Sequence, residues 1–455
     1  MGQGDPRRQD QGGWLIVRQR IGDLIRAYGT QGFHRTGTAV DELSAQWLAG
    51  EIRQIGLAPT LEAFTLSRVD VVAASLRVDG RRIEGLPLFD GGFTGAAGVA
   101  GRLGALDSDA PIALTECAPN AQEAGALGEA RRANRHQAIV VVTRGARPGF
   151  CPSNADSFLR PFGPPVLQVA SGDADFLADC ARQGAEAVLT AHAKRTQAMA
   201  SNVVTAIAGT DKNLAPLVVM TPRSGWWSCA SERGGGLACW LEIMRAVRDA
   251  RPARDVLFVA SSGHELGHIG LDDFMARRPG LVAGACAWIH LGANIGAAQG
   301  PGNHLQASDD AMESLLADAM MQVGLAIDHR LPRGAVPRGE AFNVHRGGGR
   351  FISIIGSNAL FHNTRDHGPD TIDLDVIERF AGAFAAVATK LVDEPADRQF
   401  MMTPAQLMMT PAQHRAVAAL FRVDPEDSSA LRRAADHDRI AEVIERRERG
   451  GKPKP

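Results

Sequence analysis

From Asn202 onward the chain repeats one pattern, in which short, wholly apolar runs are separated by longer stretches of helical spacing. The runs are NVVTAIAG, APLVVM, DVLFVA, AGACAWIHL and FISIIG, and the helical stretches fall at 235–248, 309–323 and 374–392. Apolar runs that do not alternate faces need cover on both sides, and helices between them supply it. This predicts an α/β fold, a mixed and mostly parallel sheet sandwiched by helices.

Upstream of this series, residues 38–66 read as a helix feeding a strand. Asp41 stands as a cap, Leu43, Trp47, Leu48 and Ile52 keep helical spacing, and IGLAP then stops the helix before LEAFTL. From Gly91 the sequence turns Gly- and Ala-rich (GGFTGAAGVAGRLGA), as a boundary would. The next hundred residues carry strand and helix signals of their own in AIVVV, PPVLQVA, DADFLADCARQ and AEAVLTA. At 455 residues two or three domains are expected. We expect a discontinuous main domain (1–90 and 195–395), a small insertion (91–194) and a helical or partly disordered appendage (396–455). The appendage opens on a doubled heptad, MMTPAQL and MMTPAQH, too short for a repeat architecture. Its Met residues make it the expected route to a homo-oligomer, if one forms.

Lys and Arg (49) nearly balance Asp and Glu (51), and the formal charge of −2 gives no field to attract nucleic acid or anionic lipid. A small molecule or a peptide is therefore the expected partner, with neither nucleic acid nor membrane. Near the N-terminus the only apolar run is Trp14 to Val17, too short for a signal sequence or a membrane span. The six cysteines lack CxxC spacing and read as reduced thiols, so the expected location is cytoplasmic.

His264-Glu265-Leu266-Gly267-His268 spells the H-E-x-x-H zinc motif. That chemistry needs both imidazoles on a regular helix, whereas here the motif follows the strand DVLFVA directly and glycines interrupt it. The extended form fails too, since its Gly falls on Leu271 and its third His on Phe274.

The larger frame is more informative. SNVVTAIAG, APLVVM, the turn ERGGGLACWLEIMRAV, strand-SSGHELGHIGLDDF and the late FHNTRDHGPDTID, with HRTGTAVDELSAQWLAGEIRQIGLAP at the start, keep one order and spacing. In that order they resemble the zinc aminopeptidase family, which includes glutaminyl cyclase, glutamate carboxypeptidase and the transferrin receptor ectodomain. The resemblance covers residues 30–395, and the insertion looks like a protease-associated domain. It implies an aminopeptidase-like fold and a metal site near the sheet.

On that resemblance the metal site is degenerate. The H-x-D place reads Thr221-Pro222-Arg223, the bridging Asp falls on Ser231 with Glu232 beside it, and the later Asp is lost around Gly292. The Glu-Glu pair has become His264-Glu265, which removes the general base and keeps a ligand, and the last His matches His362. The resemblance thus implies at most one zinc, held by Glu265, His362 and Glu232, with His264 moving the proton in the base's place. The expected function is hydrolysis of an amide or peptide bond. The alternative is a non-catalytic binding or structural protein on the same fold, for which the gain of Arg223 and Arg233 speaks. For substrate contact we expect Arg223, Trp226 and Trp227 in the loop that replaces a ligand loop, and Glu340 and His345 at pocket positions. Core packing explains a Trp equally well, and His268 and His290 read as structural histidines.

Overall fold

The computed structural model describes residues 6–393, with side chains from Ile16 onward; the appendage expected at 396–455 lies outside the described residues. Thirteen strands form one continuous sheet. The first six are β1 (Thr60–Val78), β2 (Arg81–Pro87), β3 (Val99–Ala105), β4 (Ile112–Cys117), β5 (Ala138–Thr143) and β6 (Val166–Ala170). The long β7 (Glu186–Ile207) follows, then β8 (Leu217–Pro222), β9 (Val256–Ser261), β10 (Ala287–Leu291), β11 (Asn303–Ala307), β12 (His329–Arg330) and β13 (Phe351–Gly356). In space they run β1-β2-β6-β5-β4-β3-β7-β9-β8-β10-β13-β11-β12, and β1 also pairs with β7.

That extra pairing closes a ring. Around Leu189 of β7, Leu76 of β1 lies on one side and Val99 of β3 on the other, so seven strands return to their start. Its interior is an apolar cluster that includes Leu76, Leu103, Ile112, Val140 and Leu167. The far half of β7 leaves the ring and pairs with β9, handing over to a second, open sheet. There β9, β8, β10 and β13 are mutually parallel, as the apolar runs predict.

Helices pack on both the ring and the open sheet. They are α1 (Pro6–Gly29), α2 (Ala39–Gln54), α3 (Gly125–Ala133), α4 (Ala174–Gln183), α5 (Ala230–Ala250), α6 (Ile269–Ala276), α7 (Leu281–Gly284), α8 (Asp310–Gln322), α9 (Ala341–Arg346) and α10 (Leu374–Asp393). On one face α1, α2, α5, α8 and α10 pack Ile25, Leu48, Trp240, Leu316 and Phe384 into a single large core. Thr38, not Asp41, caps α2, because the Thr38 hydroxyl accepts from Asp41 N while the Asp41 carboxylate turns inward. The four parallel strands deliver their carboxyl ends to one rim, where crevices form in open α/β sheets.

Candidate functional site

Each parallel strand feeds one part of the rim. β8 runs into Arg223 and Ser224, β9 into Ser262 to His268, and β13 into the segment carrying His362, while His290 lies near the end of β10. After β9 the backbone does not continue into a helix. Gly263 (φ 90°), Gly267 (φ 79°) and His268 (φ 66°) are all left-handed, and the amides of Leu266 and His268 both return to Gly263 O. A Cβ on Gly263 would lie 2.6 Å from Ile269 Cγ1, and one on Gly267 2.6 Å from Asp156 O. Glycine is therefore required for this compact turn, which is why the H-E-x-x-H run is not an α-helix here. It still brings the His264 and His268 rings to 5.1 Å between centroids.

Glu340, just before α9, faces this turn. Its Oε1 lies 2.7 Å from His264 Nδ1 and its Oε2 3.1 Å from His290 Nε2. Burial alone would raise this carboxyl, but His264 and His268 outweigh it and hold Glu340 well below the usual carboxylate range. An ionised carboxylate only accepts, so both imidazoles donate to it. The network extends outward: Ser353 Oγ lies 2.8 Å from His290 Nδ1 and receives Gln306 Nε2 at 3.1 Å. On the other side His268 Nδ1 lies 2.8 Å from Asn343 Oδ1, and the amide is oriented by its donation to Asp272. One donor atom from each of His264, His268 and Glu340 lies within 4.8 Å of the other two.

Next to this cluster stand the residues assigned by the resemblance. Ser231 is not turned to the metal position; its N–H and Oγ–H both donate to Asp366 Oδ1 (2.8 and 2.6 Å), and the Glu232 N–H donates to Oδ2 (2.9 Å). Glu232 instead faces His362, with Oε1 3.6 Å from Nε2. His362 Nδ1 donates to Pro152 O at 2.7 Å, so Nε2 carries the lone pair. Burial keeps this imidazole below its ordinary pKa.

Two buried acceptors facing each other at that distance, neither with a hydrogen-bond partner, fit a cation between them. Glu232 Oε1 is already ion-paired with Arg233, at 2.6 Å. Burial would raise Glu232, but Arg233, then His362 and His264, bring it below the ordinary value. Glu265 has both oxygens engaged, Oε1 by Thr36 N–H and Oε2 by Ser224 Oγ–H, each at 2.7 Å. As placed, Glu232, Glu265 and His362 do not close around a common ion.

The remaining expected contacts divide. Arg223 is fully buried, its NH2 2.9 Å from Asp41 Oδ1 and also donating to Ser201 O, and its NH1 donating to Asp41 O. Trp226 is buried against Phe89 and donates to Asn154. Trp227 is half-buried, donates to His362 O, and stands among Phe33 and Phe150, beside the site. His345 lies on α9, packed edge-on to Phe351. Sequence reasoning missed His268 and His290 as members of the cluster, Asn343 and Ser353 as its supports, and Asp366 as the acceptor that fixes Ser231 and Glu232. The repeated H-E-x-x-H histidine was the one signal for His268.

No family model matches the sequence, and no curated protein matches it. Among solved structures the chain is similar to BSAP, a zinc aminopeptidase from Bacillus subtilis, at 17% identity and a TM-score of 0.69, covering 84% of this chain and 95% of that one. It is similar to a peptidase M28 precursor from Shewanella amazonensis (14%, TM-score 0.65, 86% and 98% covered). An aminopeptidase from Aneurinibacillus sp. strain AM-1 gives 13%, 0.63, and 83% and 94%. The chain has the fold of zinc aminopeptidases.

Proposed function

We propose that the chain is a peptidase-like hydrolase of an amide or peptide bond that uses at most one metal ion, zinc. The observation that carries this reading is the contact of His264 Nδ1 with Glu340 Oε1 at 2.7 Å, on the strand-end rim of an aminopeptidase fold. An imidazole oriented by an ionised carboxylate is the unit from which hydrolytic sites are built, as a proton carrier or as a metal ligand. Zinc, when bound, supplies polarisation of a carbonyl or activation of water. Trp227, with Phe33 and Phe150, is the aromatic wall assigned to a small-molecule or peptide substrate, and His345 borders the site through α9. Arg223 and Trp226 back this wall from the interior.

The same proposal includes a protease-associated-like insertion at 91–194, although the apolar cluster of the closed ring also takes in Leu76 of β1 and Ile83 of β2, outside those bounds, and assigns any self-association to 396–455. A cytoplasmic location is supported by six free thiols. No helix among the described residues is long and apolar enough to cross a membrane.

The test is hydrolysis of a panel of aminoacyl anilides and N-acyl amides by zinc-equilibrated full-length protein. Leucine anilide turnover should be weak or absent, because the general base implied by the resemblance is His264 here. Turnover of the best amide should fall by at least about 100-fold in His264→Ala, the usual contribution of a proton-transfer group. Turnover that survives this change defeats the assignment. No turnover across the panel leaves the alternative, a binding protein without chemistry, which the Arg233–Glu232 ion pair favours.

A further inference from the structure

We infer that His264, His268 and Glu340 form a binding site for a single zinc-class divalent ion, distinct from the set Glu232, Glu265 and His362. Two imidazoles and one carboxylate are a donor set that zinc takes in catalytic sites, where a fourth position stays open. The three donor atoms lie within 4.8 Å of one another. Tetrahedral zinc with bonds of about 2.0–2.1 Å spaces its ligand atoms about 3.3 Å apart. Between His264 Nδ1 and Glu340 Oε1, now 2.7 Å apart around a proton, the ion needs an opening of roughly 0.6 Å.

The outer contacts are those of ligating side chains. His268 Nδ1 is held by Asn343, itself fixed by Asp272, so the lone pair falls on the ring's other nitrogen. Glu340 Oε2 is held by His290, which is braced by Ser353, so Oε1 is the oxygen turned to His264. His264 and His268 are 6% and 5% exposed, against 1% or less for Glu340, Glu232, Glu265 and His362, so the two histidines give this site an approach for an ion. It also differs from the helical H-E-x-x-H arrangement: the loop is a glycine turn, Glu265 points to Thr36 and Ser224, and the third donor comes from Glu340.

The test uses zinc alone on the full-length protein, reading bound metal by elemental analysis and the zinc-induced rise in melting temperature. The wild type should bind one zinc per chain and melt higher with it, by mass action on the folded state. His268→Ala should weaken binding by more than the 10–100-fold that loss of an outer partner costs, and Asn343→Ala by an amount within that range. His362→Ala and Glu232→Gln should keep the ion. If His268→Ala proves unfolded by its metal-free melt, Asn343→Ala alone decides. Wild-type protein that binds no zinc, or zinc that is kept in Asn343→Ala and lost in His362→Ala, overturns the inference. The readout contains no turnover, so zinc bound without hydrolysis leaves this site standing while the hydrolase reading falls.

Discussion

A guanidinium without solvent must be neutralised by its surroundings, and Arg223 is neutralised within the fold. It is fully buried on Asp41, whose carboxylate also accepts from Gly37 N and Ser262 Oγ. Burial raises the Asp41 carboxyl, and Arg223 is the leading influence that opposes the rise. Arg223→Ala should therefore strand a buried carboxylate and cost about 3–5 kcal/mol, measured by urea unfolding. A variant of unchanged stability that instead loses binding of small aromatic carboxylates would return Arg223 to the substrate contact expected from the sequence. The same logic explains why two imidazoles donate to Glu340: one buried carboxylate needs several donors to stay ionised.

Among the elements, α5 shows how a helix end can depend on a distant residue. Its N-terminal amides at Ser231 and Glu232 are taken by Asp366, 135 and 134 residues away in sequence, in the manner of a capping side chain. This contact also aims Glu232 at His362. Asp366→Ala should lower stability by about 1–2 kcal/mol in chemical denaturation, the usual loss for a cap. An unchanged midpoint would show that Asn358, which already donates to Ser231 Oγ, suffices to hold the helix start. β7 is the second instructive element. AEAVLTA and NVVTAIAG lie on one 22-residue strand, because ring and open sheet share it.

For the molecule as a whole, two buried groups titrate against each other. His34, stacked on Tyr28, is held down to about 3 from an ordinary 6.5, chiefly by burial and then by Arg223. Between these values the unfolded chain binds the extra proton, so the stability His34 contributes is complete above pH 6.5 and is lost on acidification. Asp90, buried on Arg131, is raised to about 6 from an ordinary 3.8, chiefly by burial. There the folded chain binds the extra proton, so its contribution is complete below about pH 4 and is lost as pH rises to 6. Each slope is about 1.4 kcal/mol per pH unit. The stability difference between wild type and His34→Gln should shrink by roughly 2.7 kcal/mol from pH 6.5 to 4.5. The difference from Asp90→Asn should move the opposite way between pH 4 and 6. Parallel trends in the two variants would contradict these assignments.

The alternation of apolar runs and helical stretches determined the parallel core, since burial on both faces admits little else for strands such as DVLFVA and FISIIG. The family resemblance, carried by the order and spacing of its segments, pointed to the turns after β8, β9 and β13, and with them to Glu232, His264, Glu265 and His362. Closure of the ring was not legible, because the pairing of β1 with β7 is a long-range choice that leaves no local period. Nor was the direction of any buried carboxylate. Glu265 turns to Thr36 and Ser224, Glu232 to Arg233, and Glu340 to His264 and His290, according to which donors the fold brings near each of them. Residue type fixes what a side chain can bind, but a buried charge takes whichever partner tertiary packing sets within about 3 Å, and only the folded chain decides that.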